Sequence, residues 1–137
     1  MMVTYSFDIS RFDFPLIHQW LAGTYWSPGI LEERVRRGFE NSGVVVGAFD
    51  GDRQVGVARC VTDTTRFAYI ADVFVDPDFR GRGIARGMVR SILSHPKVAD
   101  ADRVFLFTRD AHGVYQALGF GPHPAPEDLM VRRKPVP

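Results

Sequence analysis

The stretch that decides the fold is Asp76–Arg86, "DPDFRGRGIAR", which follows the mostly apolar run "FAYIADVFV" at 67–75. Arginine and glycine alternate, and apolar residues then return at helical spacing. Ile84, Met88 and Ile92 form one line, with Ala85, Val89 and Leu93 beside it. The pattern predicts a strand, a tight turn and a helix over 83–94. One serine would cap such a helix. Two glycines and three arginines point instead to an anion held at its end. A helix N-terminus offers four unpaired N–H groups and the positive end of the macrodipole. Gly81 and Gly83 have no Cβ, so their backbone can approach a bulky ligand and adopt left-handed dihedrals. A diphosphate laid over "RGRGIA" would receive a fan of amide hydrogens, and Arg80, Arg82 or Arg86 could add charge-assisted contacts.

Other phosphate sites fit poorly. A Walker A loop needs Lys and Ser/Thr after its last glycine, and neither stands here. The dinucleotide fingerprint misses its third glycine by one place, because Arg86 precedes Gly87.

Working outward, Val3–Ile9 suits a first strand. Asp13 and Pro15 open a short helix with Leu16, Ile17, Trp20 and Leu21 on one face, ending at Gly23. Ser27 and Pro28 read as the start of a second helix, followed by Leu31, Val35 and Phe39 at four-residue spacing. From Val44 the period becomes strand-like. "VVVGAF" and "QVGVARCV" flank "DGDR", a hairpin signal, and "TDTTR" turns the chain into 67–75. "RVFLF" at 103–107 reads as a buried central strand. A helix over 110–118 ends at Gly119, and "LMVR" at 129–132 reads as a last short strand after prolines 122, 124 and 126. The order gives an α+β fold, loosely α/β, with helices on both faces of one sheet.

The 137 residues fit a single domain spanning the chain, with 45% hydrophobic and 24% charged residues. A formal net charge of +1 argues against a strongly electrostatic nucleic-acid binder. Fifteen of the 17 cations are arginine, with lysine only at Lys97 and Lys134. That suits bidentate phosphate contacts, although an arginine-rich genome would give the same count. Cys60 is alone, so neither an intramolecular disulfide nor a thiolate metal cluster is expected, and no metal site is read. It reads as a small buried hydrophobe. No run is long and apolar enough to span a membrane, and the start lacks a secretory profile, so the cytoplasm is the expected location.

With these residues in place the chain resembles the GNAT superfamily of N-acetyltransferases. The family signature Arg/Gln-x-x-Gly-x-Gly/Ala is matched by Arg80, Gly83 and Ala85. The strand before it has the family form at Ala71–Gly81, and a later helix ends "Y-x-x-x-GF" at Tyr115–Phe120. The resemblance covers essentially the whole chain, with residues 1–40 matching only in helix pattern, and it names no substrate. It implies a mixed, mostly antiparallel sheet whose central strands, 68–75 and 103–107, splay apart to admit acetyl-CoA. Val73, Phe74 and Val75 would line the pantetheine arm, and Arg80, Gly81, Arg82, Gly83, Ile84 and Ala85 would hold the diphosphate.

The same resemblance implies a general acid at Tyr115, which stays protonated at neutral pH, or a ring packed at the helix–sheet seam. His112, three residues earlier, could orient substrate, relay a proton, or cap. Asp72 could hold an ammonium or take its proton through water. Its side chain should oppose that of Val73 unless a bulge re-aims it. Asp110 could line the acceptor site or cap its helix. Trp20, Tyr25 and Trp26, with Phe12 nearby, could build the acceptor pocket, although Tyr25 and Trp26 could equally pack their loop or a dimer contact. The implied reaction is direct acetyl transfer to a small-molecule amine, with a protein amine or a non-catalytic acyl-CoA-binding module as alternatives. A homodimer is a further expectation.

Overall fold

The structure is a computed structural model that describes residues 2–135. Its sheet has five strands in sequential order: β1 (Val3–Ser6), β2 (Val44–Asp50), β3 (Arg53–Thr62), β4 (Phe67–Val75) and β5 (Arg103–Phe105). The first three pairings are antiparallel and β4–β5 is parallel. The expected mixed, mostly antiparallel sheet is therefore present.

Helices cover both faces. Helices α1 (Phe14–Ala22) and α2 (Glu32–Glu40) lie on one, where Phe14, Ile17, Leu21, Val35 and Phe39 pack against Val45, Phe49 and Val57. Helix α3 (Ile84–Ser94) lies on the other, where Ile84, Met88, Val89 and Ile92 meet Val46, Ala48, Ala58, Cys60 and Ile70. Strand alternation sends successive residues of β2 and β3 to opposite cores. One-turn α4 (Pro96–Ala99) leads into β5, and α5 (His112–Gln116) follows it. Cys60 is fully buried, and burial pushes its thiol up to about 11, so it carries a proton at neutral pH.

The local signals work where they are covalent in origin. Asp13 caps α1, its carboxylate accepting from the Leu16 amide at 3.1 Å. Gly51 takes φ +61° in the two-residue turn between Asp50 and Arg53. Gly119, at φ +92°, closes the end of α5, and the Phe120 amide reaches back to the Tyr115 carbonyl at 3.1 Å. That closure brings the Phe120 ring edge-on to Tyr115, with centroids 6.0 Å apart. It gives the "Y-x-x-x-GF" spelling its physical reason.

Four expectations need correction. The first strand stops at Ser6, because Asp8 caps a single 3₁₀ turn at Ile9–Arg11 instead. The second helix starts at Glu32, not at Ser27–Pro28, and Leu31 leads into it without a side-chain cap. The Ser27 hydroxyl instead donates to the Leu21 carbonyl at 2.9 Å and meets Thr24 Oγ1, which knots the loop onto the end of α1. The run at 103–107 is not a buried central strand. Only Arg103–Phe105 pairs, at the edge of the described sheet, and only Val104 and Leu106 face the α3 core. Phe105 and Phe107 stay 42% and 60% exposed because α1 and α2 do not extend over them. Finally, 129–132 forms no strand.

Gly47 shows how tightly the first core is filled. A Cβ there would stand 2.7 Å from the Phe49 ring and 3.0 Å from Phe12. Gly47→Ala is expected to cost about 1–3 kcal/mol through overpacking, readable as a lower urea midpoint with an unchanged m-value.

Candidate functional site

Strands β4 and β5 pair only at Phe67–Arg103, Ala68–Val104 and Tyr69–Phe105. Beyond Tyr69 they part, and the opening is the head of a cleft. A cavity of about 740 Å³ runs from the turn before α3 along Val73, Phe74 and Val75 to Tyr115. A second, of about 360 Å³, adjoins it on the far side of Tyr25 and Trp26, against Arg59, Tyr69, Asp72 and Phe107. Tyr25, Trp26, Val73, Asp110 and Tyr115 line both.

The first cavity ends at the glycine turn. Gly81 and Gly83 take φ +78° and +76°, and a Cβ on either would meet nothing within 4 Å. Protein packing therefore does not demand glycine here. The left-handed backbone does, and the open space in front leaves the amides approachable. Gly83 is the N-cap of α3 and supplies no side-chain acceptor, so the first-turn amides are left for a ligand. Arg86 lines the same cavity. Arg80 turns under the cradle: its Nε donates to the Val75 carbonyl at 3.1 Å and its guanidinium lies 5.2 Å from the Phe74 ring centroid. Arg82 lies over the Phe79 ring at 5.0 Å and lines neither cavity. Among the described residues no group of three or more His, Cys, Asp or Glu could hold a metal ion. An uncapped helix end, a left-handed glycine pair and a long cleft fit the diphosphate and arm of acetyl-CoA.

The second cavity is organised by Asp72. Two residues of β4, Asp72 and Val73, stand opposite one of β3, Ala58, so the strand bulges. Asp72 itself takes φ +56°, a left-handed conformation that costs a non-glycine residue about 1–3 kcal/mol. Its Oδ2 accepts from Arg59 Nε at 2.7 Å and its Oδ1 from Trp26 Nε1 at 2.9 Å. The carboxylate thus ties the α1–α2 loop to the bulge. A second tie crosses the cleft where the Arg109 amide donates to the Tyr25 hydroxyl at 2.9 Å, with the Arg109 guanidinium 4.2 Å above that ring. Tyr25 and Trp26 meet edge to face at 4.9 Å. Burial raises the pKa of Tyr115, and the neighbouring Tyr25 and Asp110 push it the same way.

Of the residues singled out from sequence, Tyr25, Trp26, Val73, Phe74, Val75, Arg80, Gly81, Gly83, Ile84, Ala85, Asp110 and Tyr115 meet along the first cavity, and Asp72 joins at the second. Trp20 does not. It is 8% exposed and stacks on Phe74 at 5.4 Å, so it supports the cleft from the core. Phe12 is likewise core. His112 faces a different cavity behind Tyr115. Arg59 was missed, yet a lone cation inside "VGVARCV" signals a buried ionic partner.

The model of the acetyltransferase (GNAT) family matches residues 7–120, and the chain belongs to that family. Its fold is the mixed, mostly antiparallel sheet flanked by helices of that family. A crystal structure from Xanthomonas campestris, described as belonging to the same family, superposes with a TM-score of 0.92 at 39% identity, covering 98% of this chain and 95% of that one. A Clostridium acetobutylicum protein, described as a predicted acetyltransferase and solved with acetyl-CoA, shares the fold at TM-score 0.70 and 20% identity, over 96% of each chain. Rice serotonin N-acetyltransferase 2 is 30% identical over 71% of this chain and 51% of its own length. The chain spans about half the length of the curated relatives it matches.

Gly83→Ala keeps the fold but strains the turn and crowds the anion. Calorimetry with acetyl-CoA is expected to show affinity reduced about tenfold because the Cβ crowds the anion, while the ~1–3 kcal/mol of left-handed strain lowers the thermal midpoint by several degrees.

Proposed function

We propose that this protein transfers the acetyl group of acetyl-CoA to the amine of a small molecule, by direct attack within a ternary complex. The observation that carries the reading is that the glycine cradle and the splay between β4 and β5 lead to one point, where Tyr115, Trp26 and Val73 line both cavities. Bound acetyl-CoA supplies an acyl thioester, which needs a polarising donor and a proton for the departing sulfur.

Backbone amides of Gly81–Ala85 hold the diphosphate, and β4 edge groups freed by the splay hold the arm. The Tyr115 hydroxyl, kept protonated by burial, gives its proton to the leaving thiolate. Asp72 already engages Arg59 and Trp26 through both oxygens, so its part is to fix the acceptor wall and face an incoming ammonium, while ordered water removes the amine proton. Buried Cys60 lines neither cavity, which agrees with transfer without an acyl-enzyme.

The acceptor wall supports an amine with an aromatic or apolar body. Tyr25, Trp26, Tyr69 and Phe107 line it beside Ile30 and Leu106. The likeness to rice serotonin N-acetyltransferase 2 agrees with that choice. Thiol release from acetyl-CoA across a panel of arylalkylamines, polyamines and amino acids tests the reading. Cofactor binding without turnover on any of them would contradict it, leaving a non-catalytic acyl-CoA-binding module.

Tyr115→Phe is expected to lower kcat by about one to three orders of magnitude with little change in acetyl-CoA affinity. The sign of the pH dependence follows from the raised pKa. Tyr115 loses its proton only above the ordinary tyrosine value of about 10, so kcat should show no alkaline fall assignable to Tyr115 below that pH, in a profile compared between wild type and Tyr115→Phe.

A further inference from the structure

We propose, resting on the amine-transfer reading above, that Trp26 is a specificity-determining residue. Its indole N–H holds the place on Asp72 that the acceptor's ammonium must take over, so only a charged amine opens the way to the thioester. Tyr25, Trp26, Val73, Asp110 and Tyr115 line both cavities, so the two rings stand in the wall between them. Trp26 is closed onto that wall by its hydrogen bond to Asp72 Oδ1 at 2.9 Å. The charged residues lining the second cavity are Asp72, Asp110 and Arg59. Two carboxylates against one guanidinium suit a monocation.

The two partners of Asp72 differ in how firmly they are held. Arg59 donates from Nε to Oδ2 at 2.7 Å, and its Nη1 reaches Ser42 Oγ at 3.3 Å. That hydroxyl donates in turn to the Gly38 carbonyl at 2.7 Å. The guanidinium is thereby tied to the end of α2 and keeps the carboxylate in place. Trp26 instead remains 43% exposed, at the tip of a loop whose base is fastened on both sides. Thr24 Oγ1 and Ser27 Oγ donate to the Leu21 carbonyl at 2.7 and 2.9 Å, and the Gly29 amide donates to the Ala22 carbonyl at 2.9 Å. The ring can therefore leave by side-chain rotation while the loop stays folded. The Asp72 side chain is only 15% exposed, which leaves little room for a second donor beside the indole. An ammonium outcompetes a neutral N–H at a carboxylate because a bond charged on both sides is stronger. An alcohol of the same shape does not.

The chain has two tryptophans, so ¹⁵N spectra carry two indole N–H signals, and buried Trp20 is the internal reference. Trp26→Phe identifies the Trp26 signal by its loss. Titration of wild type with phenethylamine at neutral pH, without acetyl-CoA, is expected to shift the Trp26 signal saturably and leave Trp20 still. Phenethyl alcohol at the same concentrations should move neither. In kinetics, Trp26→Phe frees Oδ1 and should lower KM for the best amine of the panel about three- to tenfold, the worth of one competing hydrogen bond. A ring that only packs would give the opposite sign. An unmoved Trp26 signal with phenethylamine, equal shifts with the alcohol, or a raised KM in Trp26→Phe would each overturn the proposal. If wild type acetylates panel amines while the Trp26 signal stays unmoved, the exchange at Asp72 fails and the amine-transfer reading stands. With no turnover on any amine that reading fails, and the indole shift alone decides the exchange.

Discussion

The parting of β4 from β5 after the Tyr69–Phe105 pair is the constraint on which the rest of the structure depends. Parallel strands that stay paired leave no room between them, and their amides and carbonyls satisfy each other. Here β4 bulges at Asp72 and Val73 while β5 ends at Phe105. The edge of β4 from Asp72 to Val75 is thereby released from its neighbour but still held by β3 on the other side. A rigid strand with one free edge is a binding surface already shaped before a ligand arrives, which lowers the ordering cost of binding.

Two devices keep that opening from collapsing. One is ionic. Arg59 and Asp72 are both largely buried, and breaking such a pair would leave a charge uncompensated in the core, so the bulge and its left-handed residue are locked in place. The other is aromatic. Trp20 stacks beneath Phe74, Tyr25 and Trp26 bridge the mouth, and Phe120 is clamped against Tyr115 by the closure of α5. The ion pair sets where the wall of the second cavity stands, and the rings set how wide the cleft can be. In the proposed function, the glycine turn at the start of α3 aligns the cofactor with both.

Much of this is legible in the residues because it is local. The meander, the helix after "RGRG", the cap at Asp13 and the Gly119 closure follow from period and backbone chemistry within a few positions. What escapes is set by distant partners. Ser27–Pro28 spells a helix start, but its hydroxyl finds the end of α1 first, and the helix waits for Glu32. "RVFLF" spells a buried strand, yet burial depends on which helices reach over it, and none covers Phe105 or Phe107. "LMVR" spells a strand with no partner of its own in the described sheet. Asp72 was placed by alternation, while Arg59, which fixes it, lies thirteen residues back on another strand. Trp20 shares the aromatic character of Tyr25 and Trp26, and only packing sends it to the core.

The central claim is that the first-turn amides of α3 and the free edge of β4 hold one acyl-CoA molecule. Titration of uniformly ¹⁵N-labelled protein with coenzyme A, followed by amide spectra, tests it residue by residue. The account predicts that the largest shifts fall on Gly81–Arg86 and Val73–Val75 and that they saturate together. Absence of shifts, or a saturating set that leaves these two segments unmoved, would contradict it.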